Sequence, residues 1–290
     1  MTTGGAGAGD ASETPYAPGS GTLFVVSTPI GNLADLSTRA VGTLADVAAV
    51  LAEDTRHSRP LLDRHGVSTP LVAYHEHNEA RATPRCIARL LAGESLALIS
   101  DAGTPLLSDP GARLVRAAIE AGIRVSPVPG ASALLAALVA SGVPADRFTF
   151  FGFLARRGRE RAEAIAAIAA LTHTAVLYEA PARVAGTLDD LAAAGAGERE
   201  AVVARELTKH FEEVRRGTVR SLAASCATEG PRGEVVLVIA GGTPHQLDES
   251  ELRVRARSLR DSGLSARDVA RVLTDEADAP RNLAYRLAHE

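Results

Sequence analysis

The sequence predicts an α/β protein made of two α/β domains and a small C-terminal helical appendage, and three observations predict it. From Thr22 to about residue 242, short apolar runs rich in β-branched residues alternate with longer stretches of helical spacing. The runs end in turns rich in Gly, Ser, Asp and Pro, as βα units do. After Gly242 the strand-like runs stop and only helical patterns remain. A chain of 290 residues is also longer than one compact core comfortably fills.

In order, "TLFVVS" (22–27) reads as a strand that stops at Pro29-Ile30-Gly31, and "STRAVGTLADVAAVL" as a helix with Ser37 or Thr38 as its N-cap. "AVLAED" (49–54) and "LVAYHE" (71–76) are strands with a short helical piece between them. A helix over about 79–92 leads into "SLALIS" (95–100), and one over 111–121 into "RVSPVP" (124–129). The second half places strands at "RFTFFGFL" (147–154), "TAVLYEA" (174–180), "AVVARE" (201–206) and "GEVVLVIAG" (233–241), with helices over 159–171 and 182–194. "EEVRRGTVRSL" (212–222) alternates around Gly217 and predicts an antiparallel pair there. The segment after 242 divides into three helices at Ser262-Gly263 and near Pro280, a unit of helix-turn-helix size. The expected organisation is a loose Gly/Ala/Ser/Pro tail over 1–20, domains over 21–142 and 143–245 separated at "SGVPADR", and the appendage over 246–290.

Composition narrows the function. A net charge of −4 leaves no global field for a polyanion, so any nucleic-acid surface has to be a local patch. Aromatics are 3% of the chain with no tryptophan, which leaves few rings for base stacking. Cys86 and Cys226 form neither a CxxC nor a disulfide framework and read as reduced thiols. The N-terminus lacks the basic start and apolar core of a signal peptide, and no apolar run reaches membrane-spanning length, so a cytoplasmic protein with no membrane partner is expected.

In open α/β sheets, ligands collect at the carboxyl ends of strands. Four loops there carry small and hydrogen-bonding residues: "STPIGN" (27–32), "AEDTRHS" (52–58), "SDAGTPLLSDPG" (100–111) and "PVPGASA" (127–133). None is a GxGxxG dinucleotide loop, a GxxxxGK[ST] phosphate loop or a GxSxG nucleophile turn. In "YHEHN", His75 and His77 fall on one side of the predicted strand, but no third ligand completes a set and no metal is expected. The cluster "ARRGRER" packs five charges into seven residues; Arg156, Arg157, Arg159 and Arg161 suit a solvated helix start or a phosphate clamp equally. The arginines at 253, 255, 257 and 260 read as a solvated helix face.

Taken together, "STPIGNLADLSTRA", "AEDTRHS", "YHEHNE", "SDAGTPLLSDPGARLV", "PVPGASALLAAL", "SGVPADRFTFFGFL", "YEAPARV" and "RELTKHFEE" resemble the ribosomal RNA small subunit methyltransferase I family of the tetrapyrrole methylase superfamily, over residues 22–242. The resemblance implies S-adenosylmethionine held in a cleft between two α/β domains, a homodimer, and 2′-O-methylation of a cytidine in the decoding region of 16S rRNA on the small ribosomal subunit. It implies cofactor contacts from Ser100, Asp101, Ala102, Gly103 and Thr104, from Ser132 and Ala133, and from the Pro29-Ile30-Gly31 wall. From the second domain it suggests Tyr178, Glu234 and Val236. Two positions depart from the family's habit: Ala155 replaces a proline after "GFL", and Ala182 replaces a histidine, which alters the basic entrance rather than the cofactor loops. Two other readings remain at this stage, an idle member acting as an assembly factor and a methyltransferase for a small tetrapyrrole.

Such a transfer needs in-line alignment and help with the proton of a weakly acidic 2′-hydroxyl, either from a base or from a cation that stabilises the alkoxide. The residues available at the cleft are Asp54, His75, Glu179, Glu206 and Lys209, of which Lys209, Glu206 and Asp54 are the candidates for catalysis. Lys209 stands out because the chain has 31 basic residues and this is its single lysine. A lysine, unlike an arginine, can serve in either role.

Overall fold

Five strands of the N-terminal half, β1 (Thr22–Val26), β2 (Ala49–Ala52), β3 (Leu71–Ala73), β4 (Leu96–Leu98) and β5 (Arg124–Val128), pair in parallel in the order β3-β2-β4-β1-β5 in the computed structural model, which describes residues 16–243, 248–277 and 279–290. β2 and β4 are buried at every position, as expected of a parallel sheet covered on both faces. One face packs Val26, Leu44, Val50, Leu62 and Ile99 together; the other packs Leu23, Leu51, Leu90, Leu98 and Leu114. The covering helices are α1 (Thr38–Asp46), α2 (Thr55–Arg64), α3 (Glu79–Leu91) and α4 (Ala112–Glu120). Ser37 caps α1 by accepting from the Ala40 N–H, and Asp54 caps α2 by accepting from the Arg56 N–H.

The second sheet uses β6 (Phe148–Phe153), β7 (Thr174–Glu179), β8 (Glu200–Arg205), β9 (Glu213–Thr218) and β10 (Val235–Ile239), in the order β6-β7-β10-β8-β9. β6 and β7 are parallel and the remaining pairs antiparallel. Helix α5 (Ala133–Ser141) packs Leu134, Ala137 and Leu138 onto Val176, Val202, Val236 and Val238 of this sheet. Also present are α6 (Arg159–Ala170), α7 (Val184–Leu191) and α8 (Val219–Thr228), the last packed on α7, β8 and β9. Both sheets belong to one compact unit, residues up to 169 with 173–240.

Residues 170–172 with those from 241 onward form a second unit, whose helices α9 (Glu249–Asp261), α10 (Ala266–Ala277) and α11 (Arg281–His289) bury Leu252, Ala256, Val269, Leu273 and Leu287. A capping box at Asp248 and Glu251 starts α9. Among the described residues, no helix is long and apolar enough to cross a membrane. Cys86 and Cys226 are buried and free.

Several expectations change. Residues 219–222 are helix rather than strand, because Thr218 and Ser221 form a capping box that ends β9 and starts α8. β9 therefore pairs with β8 across the 206–212 loop, and Gly217 lies within the strand. The helix expected over 182–194 is a short 3-10 turn, then α7, then a wider turn with Gly195 at φ 99. β3 stops at Ala73, so His75 and His77 lie in the following turn, with ring centroids 6.1 Å apart. The expected tail over 1–20 falls mostly outside the described residues. Its last part is tied down, with Ala17 N–H donating to Gly122 O at 2.7 Å. The boundary at 245/246 also lies outside the described residues.

Candidate active site

Loops from the ends of β1, β4 and β5 are stitched into one wall. Thr28 and Gly103 exchange backbone hydrogen bonds of 2.8 and 3.1 Å. The hydroxyls of Ser27 and Thr104 are 3.0 Å apart, Thr104 donates to Ala131 O at 3.0 Å, and Thr28 donates to Ser100 O at 3.1 Å. Gly103 (φ 83) sits where an added Cβ would press on Ile30 at 3.1 Å. Small residues here bring backbone, rather than side chains, to the cavity.

That wall faces the second sheet across a cavity of about 290 Å³. Of the residues expected to hold a cofactor, Ile30, Ala102, Gly103, Thr104, Ala133, Tyr178, Glu234 and Val236 line it. Ser132 lies beside Ala133 at the start of α5, and its Oγ is buried without a hydrogen-bond partner, so the wall holds one unsatisfied donor. Tyr178 stacks edge-on against Phe150 at 4.9 Å and tilts against Phe153 at 5.5 Å. Burial raises its phenol pKa.

Pro29, Gly31, Ser100 and Asp101 line a neighbouring cavity of about 480 Å³, together with Arg56, His57 and Lys209. Ile30, Ala102 and Glu234 border both cavities and mark where they meet. The sequence reading thus gathers one set of residues that the structure divides between two adjoining chambers.

The 206–212 loop closes this junction. Lys209 Nζ lies 2.9 Å from Glu206 Oε1 and 3.2 Å from Glu234 Oε2, and Glu206 Oε1 also accepts from the Glu234 N–H at 3.0 Å. Burial works against the lysine's charge, but the hydrogen bonds to Glu206 and Glu234 outweigh it and raise its pKa. The reverse holds at Glu206, whose carboxyl is lowered chiefly by the bond from Lys209. Lys209 is therefore a held cation. The side chain lies across Gly31 (φ 153), where a Cβ would come within 2.3 Å of Lys209 Cγ; Gly233 (φ 80) leaves room for the Glu206 carboxylate in the same way, at 2.1 Å. Asn32 N–H donates to Thr208 Oγ1 at 3.2 Å, joining this loop to the first wall.

All the described non-glycine residues at positive φ fall in the two loops flanking the cleft: Leu106 and Ser108 in one, Glu206 and Thr208 in the other. Backbone held in that region is costly and persists where the surroundings impose it.

The third catalytic candidate does not join the group. Asp54 binds Arg56 at 2.9 Å and caps α2, and the hydrogen bonds from Arg56 hold its carboxyl down at about 2. Its contribution towards the cleft is its backbone N–H, which donates to Asp101 Oδ1 at 3.1 Å. Glu179 is fully buried and accepts from Thr187 Oγ1 at 2.6 Å and from the Ala180 N–H at 2.8 Å, which fixes the turn lining the first cavity. In the basic cluster, Arg161 is committed to Asp190 at 2.7 Å and to Thr187 at 3.0 Å, and Arg159 pairs with Glu163 at 2.5 Å. Arg156 and Arg157 are exposed.

Asp109, at the end of the "SDAGTPLLSDPG" loop, is a site residue that no sequence motif marks. It lines the first cavity, where burial, then the charges of Glu53 and Asp101, pushes its carboxyl up to about 6 against a hydrogen bond from Ser100. Glu53 is raised likewise, chiefly by burial. This end of the cleft therefore favours a positively charged ligand.

Residues 22–223 match the family model of Tetrapyrrole (Corrin/Porphyrin) Methylases. The chain is 46% identical over 273 residues to a Ribosomal RNA small subunit methyltransferase I from Synechocystis sp., covering 93% of this chain and 98% of the relative. It is 52% identical over 228 residues to one from Mesorhizobium japonicum, covering 78% of each. Among solved structures, a diphthine synthase superposes with a TM-score of 0.61 at 18% identity, covering 92% of this chain and all of the other. A uroporphyrin-III C-methyl transferase from Thermus thermophilus complexed with S-adenosyl homocysteine superposes with a TM-score of 0.55 at 17% identity, covering 76% and 97%. These structural likenesses concern the fold.

Proposed function

Because the chain belongs to the ribosomal RNA small subunit methyltransferase I family of tetrapyrrole methylases, we propose that it transfers a methyl group from S-adenosylmethionine to the 2′-hydroxyl of a cytidine in the decoding region of 16S rRNA, on the small ribosomal subunit in the cytoplasm. The observation that carries this reading is the single lysine held as a cation where two cavities meet.

The first cavity suits the cofactor on three counts. Its backbone-rich loops admit a close ligand, the Ser132 hydroxyl beside the lining residue Ala133 lacks a partner, and the Asp109 carboxylate on its wall, with the charges of Glu53 and Asp101 behind it, complements a cation. Ile30, Ala102–Thr104, Ala133, Tyr178 and Val236 would hold it. When bound, the cofactor supplies an activated methyl on a positively charged sulfur, so little covalent help is asked of the protein. The second cavity then takes the ribose. Lys209 points its ammonium at the junction and stabilises negative charge on the attacking oxygen as its proton leaves. Glu206 holds Lys209 in place. Glu234, exposed enough to meet solvent and bordering both chambers, is the carboxylate positioned to accept the proton. Arg156 and Arg157 are the members of the basic cluster left to meet phosphate.

The same reading includes a homodimer, supported by Leu135 and Val139, which stand exposed one turn apart on α5; light scattering tests it. It also divides the chain into lobes at residue 142 and a separate helical unit. A chain ending at Thr243 should bind cofactor within about twofold of the full protein, measured by calorimetry, since every residue assigned to the cofactor precedes that point.

The central test is label transfer from methyl-tritiated S-adenosylmethionine to small subunits lacking the modification, followed by nucleoside analysis. Label in 2′-O-methylcytidine supports enzyme, substrate and reaction together. Tight cofactor binding without labelled RNA would overturn the substrate and leave the cofactor site.

A further inference from the structure

The outer side of the 206–212 loop is not used by the reading above. There a groove of about 570 Å³ is lined by Phe211, Arg205, Arg215, Arg232, Glu206 and Glu229, and it shares Gly233 with the wall of the first cavity. Phe211 is 67% exposed, although the chain is only 3% aromatic. The ring is the most exposed of the large aromatic side chains, and it stands on the loop that carries Lys209.

Hydrogen bonds within the loop order the backbone that carries the ring. Thr208 N–H donates to Glu212 Oε2 at 2.7 Å, Lys209 N–H to Glu206 O at 3.0 Å, and Glu212 N–H to Lys209 O at 3.2 Å. His210 packs edge-on against Phe211 with centroids 4.8 Å apart. With Glu206 and Thr208 both at positive φ, the backbone turns so that Lys209 enters the cleft and Phe211 enters the groove. One strained loop thus presents a cation to one chamber and an aromatic face to the next.

Three arginines stand around the ring, with Arg232 the one that joins no ion pair among the described residues. Arg205 and Arg215 share the single carboxylate of Glu213, at 2.6 and 2.9 Å. Of the glutamates on the groove, Glu206 is held by Lys209, while the Glu229 charge acts on Arg215, which also donates to the Glu229 backbone carbonyl at 3.0 Å. Arg232 is exposed at the rim, next to Gly233.

We infer that this groove is a nucleotide subsite: the Phe211 ring stacks a base neighbouring the reacting nucleotide, and Arg232 meets a phosphate of the same strand. An aromatic face beside arginines is the chemistry that grips an unpaired RNA strand without reading its sequence. Because the groove and the cleft share a wall, a strand seated there brings the next ribose towards Lys209. The inference rests on the RNA reading above and adds to it where the strand runs.

The experiment compares wild type with Phe211→Ala, Phe211→Leu, Phe211→Trp and Arg232→Ala. It measures binding to unmodified small subunits over a salt series, methyl transfer, cofactor affinity and melting temperature. Phe211→Ala should weaken subunit binding about tenfold, the range of one lost base stack. Cofactor affinity and melting temperature should stay unchanged, since the ring is exposed and does not line the first cavity. Phe211→Trp should retain binding and Phe211→Leu should not. Arg232→Ala should reduce the slope of log affinity against log salt by about one. Unchanged binding by Phe211→Ala, alongside methyl transfer by wild type, overturns the subsite alone. Full rescue by leucine points to an apolar protein contact and also overturns it. Failure of wild type to methylate or bind the subunit removes the RNA reading, and the subsite falls with it.

Discussion

The two walls of the cleft are built on different principles. On the side of the parallel sheet, the loops after β1, β4 and β5 present backbone, small hydroxyls and glycine, locked by short hydrogen bonds between neighbouring loops. On the side of the mixed sheet, one loop between antiparallel strands presents long charged side chains, placed by a three-membered ion network and by positive-φ turns. The first wall derives its shape from topology, since parallel strands deliver all their carboxyl ends to one edge. The second derives its chemistry from particular side chains. Binding and catalysis should therefore fail separately when the walls are altered separately.

The largest expected effect lies on the second wall. Lys209→Met removes the cation from the junction and should lower kcat by about a hundredfold to a thousandfold, as loss of a charge-stabilising donor does. Cofactor affinity by calorimetry should stay within about twofold. Lys209→Arg should be impaired as well, because a planar guanidinium does not reproduce the point charge that the ammonium holds between Glu206 and Glu234. Full activity in either variant would remove the lysine from the mechanism. Loss of cofactor binding would mean that the two walls are not independent.

The first wall is tested by Gly103→Val. It combines positive φ, a branched side chain and a contact on Ile30, at a strain cost of about 1–3 kcal/mol. Cofactor affinity should fall roughly ten- to a hundredfold, within the same energy range, and the melting temperature should drop. The rate at saturating cofactor should recover most of its value, in contrast to Lys209→Met. A variant that binds normally but turns over slowly would reverse the roles assigned to the two walls.

The contrast also explains what could be read in advance. The parallel sheet was legible because β2 and β4 are continuous apolar runs and the loops after β1, β4 and β5 carry their own turn chemistry. Lys209 stands out by residue type, but its pairing with Glu234, 25 residues on and just before β10, is encoded by no local pattern. Asp54 sits at a strand end among the cleft loops, and the same position makes it the cap of α2. Around Gly217, strand-like alternation concealed a helix start that the Thr218–Ser221 box decides. Arg161 belonged to a cluster whose count of charges gave no sign that this one turns inward to Asp190. Asp109 was hidden because a carboxylate in a turn looks ordinary until burial and the neighbouring carboxylates are seen.

Asp109 gives the smallest effect and the finest test of the comparison, because it belongs to the first wall yet acts by charge. Its carboxyl titrates near 6 in the folded chain, above its usual 3.8, because burial and the charges of Glu53 and Asp101 disfavour ionisation. The folded state therefore holds a proton that the unfolded chain releases earlier. This group's contribution to stability falls as pH rises from about 4 to 6 and is level above that. A positively charged cofactor reverses the preference, since it gains an ionised partner only above that range. Cofactor affinity should thus rise severalfold between pH 5 and pH 7, and Asp109→Asn should flatten the profile while raising the stability of the cofactor-free chain at neutral pH. Calorimetric titrations across that interval check both signs. A flat profile in the wild type would show that charge belongs to the second wall alone, and that the first wall holds its ligand by shape and hydrogen bonds.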